Sequence, residues 1–346
     1  MKKIVLAFSL VIVSTFLNAQ AKVELLTSGT KTSIRGLSVV DDNIAWVSGS
    51  GGMVARTNDG GKNWKWFDAK KFIPDDSLRK RVDFRDIEAF DGATAVIMAI
   101  ESPAYILKTN DGGETWKVVY ENKAKGMFLD AMEFWNELSG IVIGDPIDGR
   151  FFVTRTFDGG STWQDIPFEK RPVADSGEAC FAASGTNIRA LNNSEAIFIS
   201  GGLKSRLFSK NNPTPLPIVQ GKETAGANSI AIFRDNKNKA GKNMIVVGGD
   251  FSADSVSTLN CFITKDGGKN WIAPASSPHG YRSCVEFITA EKLVSCGLSG
   301  VDYSADGGMN WQWISKTGFH VCRKAKNGNA VFFAGGNGRI GKLVIE

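Results

Sequence analysis

The chain has 346 residues, 42% hydrophobic and 22% charged, so it can bury the core of one large all-β domain or two medium ones and is not a disordered polymer. Its net charge of +5 is too mild for a nucleic-acid binder. With 38 Gly, 9 Trp and only 10 Pro, the composition favours short strands joined by tight turns over helices.

The first element in chain order is MKKIVLAFSLVIVSTFLNAQAK. Lys2 and Lys3 form a basic start, Ile4 to Leu17 an apolar run, and Asn18-Ala19-Gln20 a small, polar end. This is the layout of a secretory signal peptide over residues 1–19, cut after Ala19 or Ala21. The run is shorter than the ~20 residues a spanning helix needs. The expectation is therefore export to the periplasm or the cell exterior, with no stable membrane insertion after cleavage. Next comes KVELLT at 22–27, a strand with no unit of its own.

From there the sequence repeats. TNDGGKNW starts at Thr57, TNDGGETW at Thr109, TFDGGSTW at Thr156, TKDGGKNW at Thr264 and SADGGMNW at Ser304. Successive copies start 52, 47, 108 and 40 residues apart, and 108 is twice 54. A degenerate copy is expected near 210, where Ser209 begins SKNNPTP without the Asp and Trp. Each copy has three short apolar runs before it and one after, as in RGLSVV, NIAWVSGS and MVART before Thr57 and WKWF after it. Four-stranded units of this period make a β-propeller. Blades are expected at about 33–67, 83–120, 127–166, 178–219, 227–273, 281–314 and 319–346. The last has only HVCRKA, NAVFFAGG and RIGKLVIE, so strand 22–27 supplies its fourth. The expected fold is a single seven-bladed propeller over residues 20–346, its ring closed by the N-terminal strand, which leaves no long unpaired edge.

Within the octet a hydroxyl and a carboxylate can knit the turn together. The glycines allow positive φ, and the Trp buries a large face against the blade. Asp59 with Trp64, Asp111 with Trp116, Asp158 with Trp163, Asp266 with Trp271 and Asp306 with Trp311 are thus read as structural. A calcium loop would need more oxygen ligands and a distal Glu, and no metal is expected. The octet resembles the Asp-box, or bacterial neuraminidase repeat, of sialidases, some endoglucanases and sortilin-like receptors. The wider layout, with SIRGLSVVDD from Ser33, GDPIDGRFFVTRT from Gly144 and GEACFAASGT from Gly177, resembles the photosystem II stability/assembly factor family and its bacterial relatives, which are loosely labelled oxidoreductases. That resemblance implies a non-enzymatic scaffold that assembles or stabilises another protein.

Antiparallel strands put every octet on one face and the long, irregular loops on the other, where function usually lives. Arg35, Arg85, Asp86, Asp130, Glu178, Arg282 and His320 should enter the innermost strands from that second face and converge on the channel. Asp145, Asp148, Arg150, Arg206, Asp250 and Tyr281 should rim it. The bland reading is a hydrogen-bonded channel lining; the sharper one is a pocket for a protein or peptide partner, or a glycan. The enzymatic alternative is a sialidase-like or other glycoside hydrolase built on Arg35, Arg85, Arg282, Tyr281 and Asp86, but its Arg-Ile-Pro signature is absent. No cofactor is expected: GNGRIG from Gly336 has only five residues after it, too few for a dinucleotide fold. Of the five cysteines, Cys284 and Cys296 flank a predicted hairpin, as a disulfide or as small buried hydrophobes.

Overall fold

A computed structural model describes residues 21–100, 103–192, 194–209, 212–234 and 241–346. The expected signal peptide lies outside them, as do residues 210 and 211 of the degenerate octet. Among the described residues the strands form seven antiparallel sheets, the blades of one propeller. Blade 1 consists of Ile34–Val39, Ala45–Gly49, Met53–Thr57 and Lys65–Asp68. The same meander recurs in blade 2 from Phe84–Ala89 to Lys117–Asn122, in blade 3 from Leu129–Phe134 to Gln164–Asp165, and in blade 6 from Cys284–Phe287 to Gln312–Ser315. Blade 7 takes Val321–Lys324, Val331–Ala334 and Ile340–Ile345 from the chain end. Its fourth strand is Ala21–Thr27, running antiparallel to the last, with Val23 opposite Leu343. The amino-terminal strand therefore closes the ring.

Blades 4 and 5 depart from the regular pattern. The innermost strand of blade 4 is Ile188–Ala190, later than expected, followed by Ala196–Ile199, Arg206–Ser209 and Asn212–Pro215. Glu178–Ala179 instead pairs with Gly201–Gly202, and this small ribbon extends the sheet of blade 5, whose long strands are Ala225–Ile232, Met244–Asp250 and Cys261–Thr264. The fourth strand of blade 5 is reduced to a bridge between Ile263 and Ile272.

The core is divided among the seams between neighbouring blades. One apolar cluster joins blades 1 and 2 through Trp46, Val54, Phe84 and Ile97. Another joins blades 6, 7 and 1 through Val294, Phe319, Phe333 and Leu37. Each octet is tied to such a seam. Thr57 Oγ1 donates to Asp59 Oδ1 at 2.8 Å and accepts from Gly61 N at 3.0 Å, while Asp59 Oδ1 also accepts from Asn63 N at 2.9 Å. The same closure recurs at Thr109, Thr156, Thr264 and Ser304. Hydrogen bonds hold the Asp59, Asp111 and Asp266 carboxyls down at about 2. Gly113 has φ +93°, and a Cβ there would meet Phe67 and Trp46 of the preceding blade at 3.1–3.2 Å; only glycine permits both the turn and the contact.

All five cysteines are buried and free. Cys284 and Cys296 do face each other in register. Cys284 also approaches a third cysteine across the seam, with 3.6 Å between its sulfur and that of Cys322.

Candidate functional site

The innermost strands open each blade at the face opposite the octets, and their first residues form one mouth of the channel. There Arg35, Arg85, Asp145, Tyr281 and His320 line a cavity of about 380 Å³ together with Phe128, Phe181, Phe251, Asn228 and Leu298. Arg35 is the central cation. Its Nη1 donates to Ala183 O at 3.3 Å, and among the described residues it has no carboxylate partner. Burial lowers its pKa, with the like charge of Arg85 next in effect. Arg85 is itself paired with Asp83, Nε to Oδ2 at 2.9 Å.

Among the other polar groups lining the mouth, the one carboxyl is that of Asp145. Burial, then repulsion by Arg35, Arg339 and Arg85, pushes His320 down to about 3, so its ring is neutral at working pH and meets Ser33 Oγ at 3.2 Å. Asp145 accepts from Cys180 N at 2.9 Å, and burial raises it to about 6. Tyr281 donates to Asn228 Oδ1 at 2.8 Å and is raised by burial. Edge-to-face contacts chain Phe181 to Phe251 and Phe251 to Tyr281, at centroid distances of 6.0 and 6.2 Å. Phe251 and Leu298 also stand out to solvent, 41% and 45% exposed. The mouth thus offers a partly desolvated cation inside an apolar, aromatic rim.

Several expected members point elsewhere. Arg282 is fully buried, gripping Asp302 through Nε at 2.6 Å and the Tyr281 carbonyl at 2.8 Å. Glu178 does not reach an innermost strand; the outlying ribbon places it against Arg206, whose Nε donates to it at 2.8 Å. Arg150 caps the Arg171 carbonyl at 2.7 Å. Asp250 turns to Ser252 and Lys222. Asp148 lies in the turn between blade 3's second and third strands with φ 52°. Asp86 and Asp130 are buried deeper in the channel wall. Asp86 accepts from Ile87 N and Met132 N, and burial raises it to about 7 against the pull of Arg323. Burial, then Asp145, raises Asp130 further. The five residues of the sialidase reading are thereby divided: Arg282 and Asp86 are engaged away from the cavity that Arg35, Arg85 and Tyr281 line.

The sequence reading did not pick out Phe128, Phe181, Phe251, Asn228 or Leu298. Phe251 and Leu298 had a usable signal, since each is a large apolar residue in an otherwise polar second-to-third loop. It also overlooked the opposite mouth, a cavity of about 760 Å³ among Glu88, Glu133, Arg189, Glu286, Arg323 and Lys326. There the charges neutralise one another: Arg189 reaches Glu286 at 3.3 Å and Glu133 at 3.7 Å, and Lys326 pairs with Glu88.

No family model matches the chain, and no curated protein matches its sequence. Solved structures do share its fold. YCF48 from Cyanidioschyzon merolae superposes with a TM-score of 0.66 at 16% identity, covering 93% of this chain and 98% of that one. A YCF48 bound to D1 peptide gives 0.65 at 17% identity, covering 96% and 100%. The GH74 xyloglucanase from Xanthomonas campestris gives 0.62 at 12% identity, with 93% of this chain matched to 53% of the enzyme. At these identities the likeness establishes the seven-bladed propeller fold.

Proposed function

We propose that this protein is an exported, non-enzymatic binding scaffold that receives an anionic peptide segment of another protein at the channel mouth opposite the octets. The observation that carries this reading is Arg35. It is a half-buried guanidinium without a carboxylate partner among the described residues, beside the second cation Arg85 and under an aromatic rim. A carboxylate arriving there gains charge-assisted hydrogen bonds in a site already stripped of much of its water. The apolar rim of Phe251 and Leu298 holds the chain that carries it. A propeller of the same fold, YCF48, binds a D1 peptide, which supports a peptide as the occupant and an assembly or stability role. Export is supported by the basic start and apolar run of residues 1–17.

Affinity capture from the cell-envelope fraction tests the proposal. The wild type should retain a defined protein partner, and Arg35→Gln with Arg85→Gln should lose it while keeping the same melting curve. Undiminished capture by that variant would overturn the site. A parallel screen with aryl glycosides and sialosides reads out the enzymatic alternative, since turnover lost in Tyr281→Phe would replace the scaffold with a glycosidase.

A further inference from the structure

The octet tryptophans seal the seams of the ring. Trp64 packs on Phe332 of blade 7 with ring centroids 6.4 Å apart, and Trp116 on Trp46 of blade 1, also at 6.4 Å. Trp163 joins the cluster between blades 2 and 3, Trp271 the one between blades 4 and 5, and Trp311 the one between blades 5 and 6. Each octet thus places its indole against the blade before it. Blade 7 has no octet, and blade 4, which carries the degenerate copy, has no such Trp either, so the seam between blades 3 and 4 lacks an octet indole.

That seam holds a cavity of about 780 Å³. Its walls are Ile143 and Val153 from blade 3 and Ile188, Ile197, Phe198 and Phe208 from blade 4. The two phenylalanine rings are stacked at 4.3 Å. The outer strand of blade 3 is only Gln164–Asp165, and Ile166 and Glu169 to Val173 of the chain after it line the cavity. Trp135 packs on the same cluster but lines the channel mouth and not this cavity.

A second irregularity falls at the same place. In other blades a cation on the third strand bonds to the next blade: Lys342 to Gly60 O at 3.5 Å, Arg56 to Gly92 O, and Lys108 to Ser161 Oγ at 3.0 Å. Arg155 is the corresponding residue of blade 3, directly before Thr156 as Arg56 is before Thr57. It lines the cavity, its Nε is buried without a partner as that of Arg56 is, and among the described residues it makes neither an ion pair nor the bond to the next blade that Arg56 makes. Among the described residues, the seam therefore has neither an octet indole nor an acceptor for this cation.

We infer that the seam between blades 3 and 4 is a binding slot for a small amphipathic carboxylate, with an aromatic or alkyl body between the blades and its anion on Arg155. The size and apolar lining fit a small-molecule pocket. The unpaired guanidinium selects a carboxylate over a neutral body of the same shape.

Isothermal titration calorimetry with indole-3-propionate, against its neutral amide, tests this. The wild type should bind the carboxylate saturably at one site. Arg155→Met should weaken it about tenfold, the scale of one lost charge-assisted contact, and leave the amide unchanged. Ala196→Trp, which places an indole in the slot, should abolish binding of both. The Arg35→Gln, Arg85→Gln variant should bind as the wild type does, which separates this slot from the channel mouth. The inference fails if the wild type shows no saturable binding, if amide and carboxylate bind alike, or if binding is lost in the channel-mouth variant and kept in Arg155→Met.

Discussion

An aspartate in an octet turn and an aspartate in the channel wall carry the same carboxyl under opposite forces. Asp111 sits at the surface and accepts from the Thr109 hydroxyl and from Thr115, so its anion is favoured and its pKa falls to about 2. Asp86 sits without solvent among innermost strands, and burial outweighs its two backbone donors and Arg323, raising it to about 7. The first kind of group knits a turn whose parts are all local. The second belongs to a channel wall assembled from separate blades, where charge is costly unless something answers it. The turns are therefore five near-copies, whereas the channel residues differ from blade to blade.

The sharpest way to break this comparison is to open the ring. Deleting residues 21–27 removes the partner of Ile340–Ile345, and thermal unfolding should lose its single cooperative transition. Next in size is Trp116→Ala. That indole is 4% exposed, donates to Gly113 O at 3.1 Å and packs edge-on against Trp46. Denaturant titration should show a loss of about 3–5 kcal/mol, the range for a large aromatic removed from a core.

The third prediction concerns pH. The folded chain keeps a proton on Asp86 up to about 7, while the unfolded chain releases it near the ordinary aspartate value of 3.8. The folded state binds more protons in that window, so this group's contribution to stability falls as pH rises from about 4 to 7. Asp86→Asn should flatten that slope in denaturant midpoints measured across the window; an unchanged slope would show that burial does not govern this carboxyl. The octet aspartates have the reverse sign. Their folded values are depressed, so their contribution is complete above the ordinary carboxylate range and is lost as pH falls toward about 2. The smallest expected effect is Asp111→Ala, which should lower the melting temperature modestly and lessen sensitivity to acid in that lower window.

The octet and its period were legible because their chemistry is local. Thr57, Asp59, Gly61 and Asn63 bond to one another within seven residues, so spacing alone carries the information. Ring closure was legible because a three-strand terminal unit needs a fourth strand from somewhere. The channel was legible only in part. Arg35 and Arg85 fall at the start of innermost strands, as their position in the repeat suggested. Arg282 occupies a similar place, yet the carboxylate of Asp302, twenty residues later, captures it. The partner of a long side chain is set by three-dimensional neighbours, which a repeat period does not report. Glu178 was misplaced for a different reason: the crossing into blade 4 folds into its own ribbon with Gly201–Gly202, and the blade starts ten residues later.

The measurement closest to the central claim compares one partner's affinity for three proteins: the wild type, Arg35→Gln with Arg85→Gln, and Asp111→Ala. The partner is the protein captured by the wild type, and all three proteins are held at a temperature where each is fully folded. Binding that survives in Asp111→Ala and is lost with the two arginines is the expected result. Binding that is lost in folded Asp111→Ala and kept without the arginines would put the working surface on the octet face and contradict the account.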